Sequence, residues 1–342
     1  MEVPSVILSR VVRVGPGPGI AATPDFTLSV ALAPGLAVLT AGRATSSFAR
    51  HFHAGADDGG QARAAAERIE PRTGRFPILW NIGSVALATN DGGEYTIAEL
   101  QADTGTDRAT IVYLRSSGRT GWAGKRVTYP LAAHHDRDWI PNGAAYADGA
   151  LWWFDLSWGI ISYDYDASLP VLRPDSGVDL VFHPLPDALA LAHATVHDMP
   201  DLEIKHCVTA SRNKLRYVEI ITDEGQAAAS RVCMWSRSHS PDGDGWQWDA
   251  RYAESFEDIW DDDSYMATGL PRNVPVLVVV SPSDPNLVYF ALEQNIFGVN
   301  VPEHRVVSHQ ADALVDMPWL PRPLCGRFVV AWDLPPAVAQ AL

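Results

Sequence analysis

Short runs of Val, Ile, Leu and aromatic residues recur along the chain, each closed off by a cluster of Gly, Asp, Asn or Pro. Runs of this length are strands, and the clusters supply the backbone freedom that tight turns need. Four sets stand out. Pro77 to Leu131 reads ILWNIGSVALAT, NDGG, EYTIAEL, ATIVYLRSSG and KRVTYPL, with Asn90 to Gly93 as a hairpin signal. Ala145 to Pro186 holds the Asp148-Gly149 turn, LWWFDL, GIISYDY and LVFHPLP. Lys205 to Tyr252 holds HCVTAS, KLRYVEII, RVCMWSRS, PDGDG and WQWDARY, and a last set from Val274 holds VPVLVVVS, PSDPN, LVYFALE and IFGVNVPEHRVV. Each set predicts a three- or four-stranded meander, at a spacing of roughly 45 to 65 residues, near the upper part of the range for propeller blades and above it.

Strand candidates at the N-terminus, within residues 1–40, and at the C-terminus, within 327–334, could pair and so remove exposed sheet edges. The expected fold is therefore all-β, a propeller-like ring of about five or six antiparallel sheets spanning 1–342 as one domain. A β-sandwich with long insertions is the structural alternative. Helical pattern is sparse: GGQARAAAERIE around Ala64 and DALALAHATVHD around Leu189 read as helical insertions, which disfavours a parallel α/β fold.

The 41 acidic against 26 basic residues give a net charge of −15, which disfavours nucleic acid and anionic membrane surfaces as partners. The apolar stretch Ile20 to Thr40 is interrupted by Pro24, Asp25 and Pro34, too soon for a membrane span. Cys207, Cys233 and Cys325 each sit in an apolar run, as reduced, buried cysteines do. With an acidic residue and a proline near Met1 and no Asn-x-Ser/Thr acceptor, the expected location is cytoplasmic or nuclear.

Several segments resemble sites and fail on chemistry. Gly15-Pro-Gly-Pro-Gly19 has prolines where a phosphate loop needs N–H donors. Around Gly124-Lys125-Arg126, Arg119 and Arg126 replace the glycine and hydroxyl residue of a nucleotide-binding loop. His134, His135, Asp136 and Asp138 form the densest ligand-like cluster, weighed against a polar loop. Asp258, Asp261, Asp262 and Asp263 lack calcium-loop spacing and read as a solvated loop. His206 and Cys207, adjacent on a strand, point to opposite faces and cannot form a dyad. No Gly-x-Ser-x-Gly elbow occurs.

Trp152, Trp153 and Trp158 concentrate aromatic surface in one hairpin. On a strand Trp153 and Asp155 share one face, Trp152 and Phe154 the other, so both faces are expected to be covered. Asp155 is expected to accept N–H bonds from the following turn, and Trp158, at that turn, is the candidate partner contact.

The run from Gly149 through Trp153, Asp155 and Gly159 to Asp164, followed by Pro184-Leu185-Pro186, resembles the domain-of-unknown-function 1618 family, a plant group expanded in grasses. Val6 to Val12, Lys214 to Glu219 and Trp246-Gln247-Trp248 are similar to it as well. The family resembles F-box-associated and kelch-type propellers in its hairpin rhythm, and the resemblance implies no biochemical activity. The expected function is a non-enzymatic protein-interaction module, monomeric and without cofactor, that contacts a protein partner through its loops. The alternative is a metal-centred propeller hydrolase or lactonase, which would gather three or more of His134, His135, Asp136, Asp138 and His206.

Overall fold

The computed structural model describes residues 5–9, 13–14, 20–23, 26–29, 32–41, 50–56, 62–68, 72, 79–90, 94–102, 106–116, 121–131, 138–165, 180–186, 199–223, 226–239, 246–318 and 320–333. Strands dominate them. Those of the N-terminal region are β1 (Ser5–Ser9), β2 (Arg13–Val14), β3 (Ile20–Thr23), β4 (Phe26–Ser29) and β5 (Leu36–Ala41). A two-stranded hairpin follows, β6 (Arg50–Ala56) with β7 (Ala62–Arg68). Four antiparallel four-stranded meanders then run in chain order. The first is β8 (Val85–Thr89), β9 (Tyr95–Ala102), β10 (Arg108–Arg115) and β11 (Ala123–Thr128). The second is β12 (Gly143–Ala147), β13 (Ala150–Asp155), β14 (Gly159–Asp164) and β15 (Val181–Pro184).

The third is β16 (His206–Ser211), β17 (Lys214–Asp223), β18 (Gln226–His239) and β19 (Trp246–Ser255). The fourth is β20 (Val276–Val280), β21 (Leu287–Leu292), β22 (Asn295–Asn300) and β23 (Arg305–Gln310). The last strand, β24 (Val329–Asp333), pairs antiparallel with β1 from Ser5↔Asp333 to Ser9↔Val329, and β1 runs parallel to β5. These strands form a mixed sheet in the order β24-β1-β5-β4-β3, with β2 beside β5. The fold is all-β and of the propeller type: among the described residues its five large sheets are the mixed terminal sheet and the four antiparallel meanders, as the hairpin pattern predicts.

Local chemistry accounts for the registers. Asp148 and Gly149 have φ of 51° and 72° between Ala147 and Ala150, the two positive values of a type I′ turn. The Asn90 signal also closes a hairpin, but Thr89 pairs with Tyr95, so the loop holds residues 90–94. There Asn90 N–H donates to the Glu94 carbonyl, and Asn90 Oδ1 accepts from Glu94 N–H.

Two sequence expectations are corrected. The segment around Ala64 is strand β7, because in-register pairing with β6, from Arg50↔Arg68 to Ala56↔Ala62, overrides the helical preference of its alanines. The Asp258–Asp263 run is not a loop: Ser255 caps α2 (Phe256–Asp261) and Asp262 caps α3 (Asp263–Met266), placing acids in the first turns where the helix dipole favours them. A third short helix, α1 (Met199–Lys205), precedes β16, and the Leu189 segment lies outside the described residues.

The chain divides into two compact units, one of Met1–Ile69, Val218–Met234 and Arg251–Leu342, the other of Glu70–Tyr217 and Trp235–Ala250. The first has a core of Ile7, Leu36, Val279, Tyr289, Ile296 and Val329. The second has two cores, one around Trp153, Ile161 and Tyr163, the other around Trp152, Ile160 and Tyr217. Trp153 and Trp152 thus enter different cores, as alternation along β13 requires. Both are fully buried.

Candidate functional site

Within the second unit, β9 carries one carboxylate, Glu99, which is 0% exposed between Ala98 and Leu100. A carboxylate so placed is tolerated only when charge and donors replace water. Arg72 Nη1 forms an ion pair with Glu99 Oε2, and Gln101 Nε2 donates to the same oxygen at 2.9 Å. The other oxygen accepts from the backbone N–H of Trp80 at 2.7 Å and of Asn81 at 3.2 Å. The Arg72 guanidinium also lies 4.2 Å from the centroid of the Trp122 ring.

The two backbone donors belong to a turn that is not the strand the sequence predicts at Leu79–Ser84. Asn81 Oδ1 accepts from Gly83 N–H at 2.8 Å and caps a 3-10 turn, Ile82–Ser84, that leads into β8. Trp153 Nε1 donates to the Ser84 carbonyl at 2.8 Å. Gly83 packs so tightly that a Cβ there would sit 2.5 Å from the Pro141 carbonyl oxygen. Between these fixed points Leu79, Trp80 and Ile82 are 44%, 54% and 70% exposed. An apolar triplet is thereby displayed on a backbone held at both ends.

The hairpin singled out in the sequence supports this turn from behind. Asp155, fully buried, accepts from Ser157 N–H at 2.9 Å and from Ser157 Oγ–H at 2.5 Å through Oδ1. Its Oδ2 accepts from Ile140 N–H at 2.9 Å. Asn142 Oδ1 accepts from Leu156 N–H at 2.8 Å, so the 140–142 segment, including the Pro141 against Gly83, is tied to the same hairpin. Gly159 is required by close approach, since a Cβ would lie 2.5 Å from the Phe182 ring and 2.6 Å from the His183 carbonyl oxygen. Asp164 ends β14 with its side chain exposed. Trp158 is half-buried, its ring 5.7 Å from that of Phe182.

On the other core of this unit, Arg237 lies under the half-buried rings of Trp246 and Trp248, with centroid distances of 6.0 and 5.2 Å. Tyr217 joins the group, 5.5 Å from Trp235 and 6.0 Å from Trp248. Arg237 is 3% exposed and, among the described residues, its Nε has no hydrogen-bond partner. Burial pulls its pKa down to about 10. Cation–π contacts contribute roughly 1–2 kcal/mol, while removing an ion from water costs several. The rings therefore offset only part of the cost.

Two histidines flank this group and both are engaged. His183 Nε2 shares a 2.8 Å hydrogen bond with Ser162 Oγ, and burial, then the Arg237 charge, lowers its pKa to about 3. His206 Nδ1 shares a 2.8 Å bond with Tyr217 Oη, and burial, then Lys205, lowers its pKa to about 4. Both are neutral at pH 7.

Of the ligand-like cluster, Asp138 is exposed, and His134, His135 and Asp136 lie outside the described residues. Among the described residues no three His, Cys, Asp or Glu side chains are placed to hold a metal ion. Nor is any helix among them long and apolar enough to cross a membrane. Sequence reasoning missed Glu99, Arg72 and Arg237. A carboxylate set between Ala98 and Leu100 within the strand run YTIAEL was a usable signal for the first. Its partner lies 27 residues away and carries none.

No curated protein matches the chain. Among solved structures it is similar to the polysaccharide lyase Uly1, at 14% identity over 66% of this chain and 49% of that one, with a TM-score of 0.31. It spans about half of that lyase chain. It is also similar to a putative glycosidase from Bacteroides thetaiotaomicron VPI-5482, at 13% identity over 84% of this chain and 86% of that one, with a TM-score of 0.24. At these TM-scores neither likeness bears on chemistry. Residues 153–289 match the model of the family described as Protein of unknown function (DUF1618), which bears out over that stretch the resemblance read from the run around Trp153.

Proposed function

We propose that this chain is a non-enzymatic protein-interaction module that offers the Leu79-Trp80-Asn81-Ile82 turn to an apolar recess on a protein partner. The observation that carries the reading is the pairing of high exposure with a pinned backbone: Trp80 is 54% and Ile82 70% exposed, while Glu99 holds the amides between them. A contact loop fixed beforehand loses little entropy on binding, and an exposed Trp is the side chain most suited to anchor an interface. The net charge of −15 favours a basic rim around the recess. Trp158, half-buried, is a secondary contact in this reading. The module works in the cytosol or nucleus, where its three buried cysteines stay reduced.

Proximity capture in native tissue, comparing the parent with a Trp80→Ala/Ile82→Ala variant, tests the proposal. The expected result is loss of the parent's partners at unchanged melting temperature, because neither side chain is core. An undiminished partner set with the double variant removes the turn from the interface.

A further inference from the structure

We infer that Arg237, with Trp246 and Trp248, forms a receptor for the carboxylate of a small aromatic or aliphatic acid. A guanidinium presents a planar fork of donors that matches a carboxylate, and here the Nε has no acceptor among the described residues. Among the described residues no carboxylate forms an ion pair with it. His183, the nearby titratable ring, is neutral at pH 7 and does not compete for an anion.

The surrounding rings set the remainder of the ligand. Trp246 and Trp248 share a face of β19 because they stand two residues apart, and Arg237 lies on the neighbouring strand β18. Trp248 is held by Nε1 donation to the Pro184 carbonyl at 2.9 Å, and Trp246 packs edge-on against the buried Trp152 with centroids 5.3 Å apart. These indoles offer flat apolar walls next to one positive charge. A monoanion with a ring or short hydrocarbon body fits that combination, whereas a polyphosphate needs several cations.

The test uses the full chain, with benzoate as probe and benzamide as its neutral counterpart, followed by tryptophan emission and melting temperature. Benzoate is expected to saturate, to change the emission and to raise the melting temperature, with benzamide at least about tenfold weaker. Arg237→Met should abolish the benzoate response without lowering the melting temperature of the free protein, since it removes a buried charge whose burial cost the Trp246 and Trp248 rings offset only in part. Arg237→Lys keeps the charge and loses the fork, and should weaken benzoate by about tenfold. A blocked dipeptide of Phe and Glu forms a second arm: tighter binding than benzoate assigns the carboxylate to a peptide side chain, and weaker binding assigns it to a free acid. Equal responses to benzoate and benzamide, or a benzoate response that persists in Arg237→Met, overturn the inference. So does the absence of saturation by either carboxylate at millimolar concentration.

Discussion

Replacing Trp153 by alanine should be among the most damaging single changes in this chain. The side chain is 0% exposed among Leu151, Ile161 and Tyr163, so its removal forfeits transfer energy and leaves a cavity, about 3–5 kcal/mol for a buried aromatic. The same change strips the Ser84 carbonyl of its donor, adding about 1 kcal/mol or more. Against a typical domain stability of about 5–15 kcal/mol, that is a large part of the whole. Trp153→Phe keeps most of the volume and loses the N–H, and should cost about 1–3 kcal/mol. Trp158→Ala, at a half-buried site against Phe182, should cost about 1–2 kcal/mol. Urea unfolding followed by circular dichroism ranks the three variants, with an unchanged m-value showing that the same surface is exposed. Equal, large losses for Trp153→Ala and Trp158→Ala would make Trp158 a core residue and withdraw its contact role.

Three further outcomes follow from the same contacts. Glu99→Gln leaves the Arg72 cation facing a neutral amide in a buried setting and should destabilise by about 3 kcal/mol or more, read by the same unfolding assay. Gly83→Ala drives a Cβ into the Pro141 carbonyl oxygen and should cost about 1–3 kcal/mol, against a near-neutral Gly149→Asn, where nothing lies within 4 Å and the φ of +72° suits asparagine. The folded-state pKa values of His183 and His206 lie below the unfolded value, so the unfolded chain takes up protons first as pH falls; stability should be full above about pH 6.5 and decline toward pH 3 to 4. His206→Gln should flatten part of that decline.

What could be read in the sequence was periodic and local. Apolar runs bounded by turn residues located all four meanders, and alternation along Leu151–Asp155 placed Trp152 and Trp153 in separate cores. Asp155 was read as a turn acceptor from its position alone, and the Ser157 bonds match that. The alanine-rich segment at Ala62–Arg68 was misread because pairing with a partner strand, not intrinsic preference, decides its conformation. The site was mostly illegible. Whether Trp80 is exposed depends on Glu99 capturing its amide, and whether Arg237 is unpaired depends on which side chains three strands bring together. Such contacts join residues distant in the chain and leave no local pattern.

The claim that the exposed turn is displayed on a fixed backbone is tested most directly by amide hydrogen exchange at Trp80 and Asn81. Both amides donate to the buried Glu99 carboxylate although the Trp80 side chain is largely in solvent. In the parent they should exchange as slowly as the paired amides of β9, and in Glu99→Gln at least about tenfold faster. Exchange of these two amides at the rate of an open chain in the parent would contradict a pinned turn, and with it the interface proposed here.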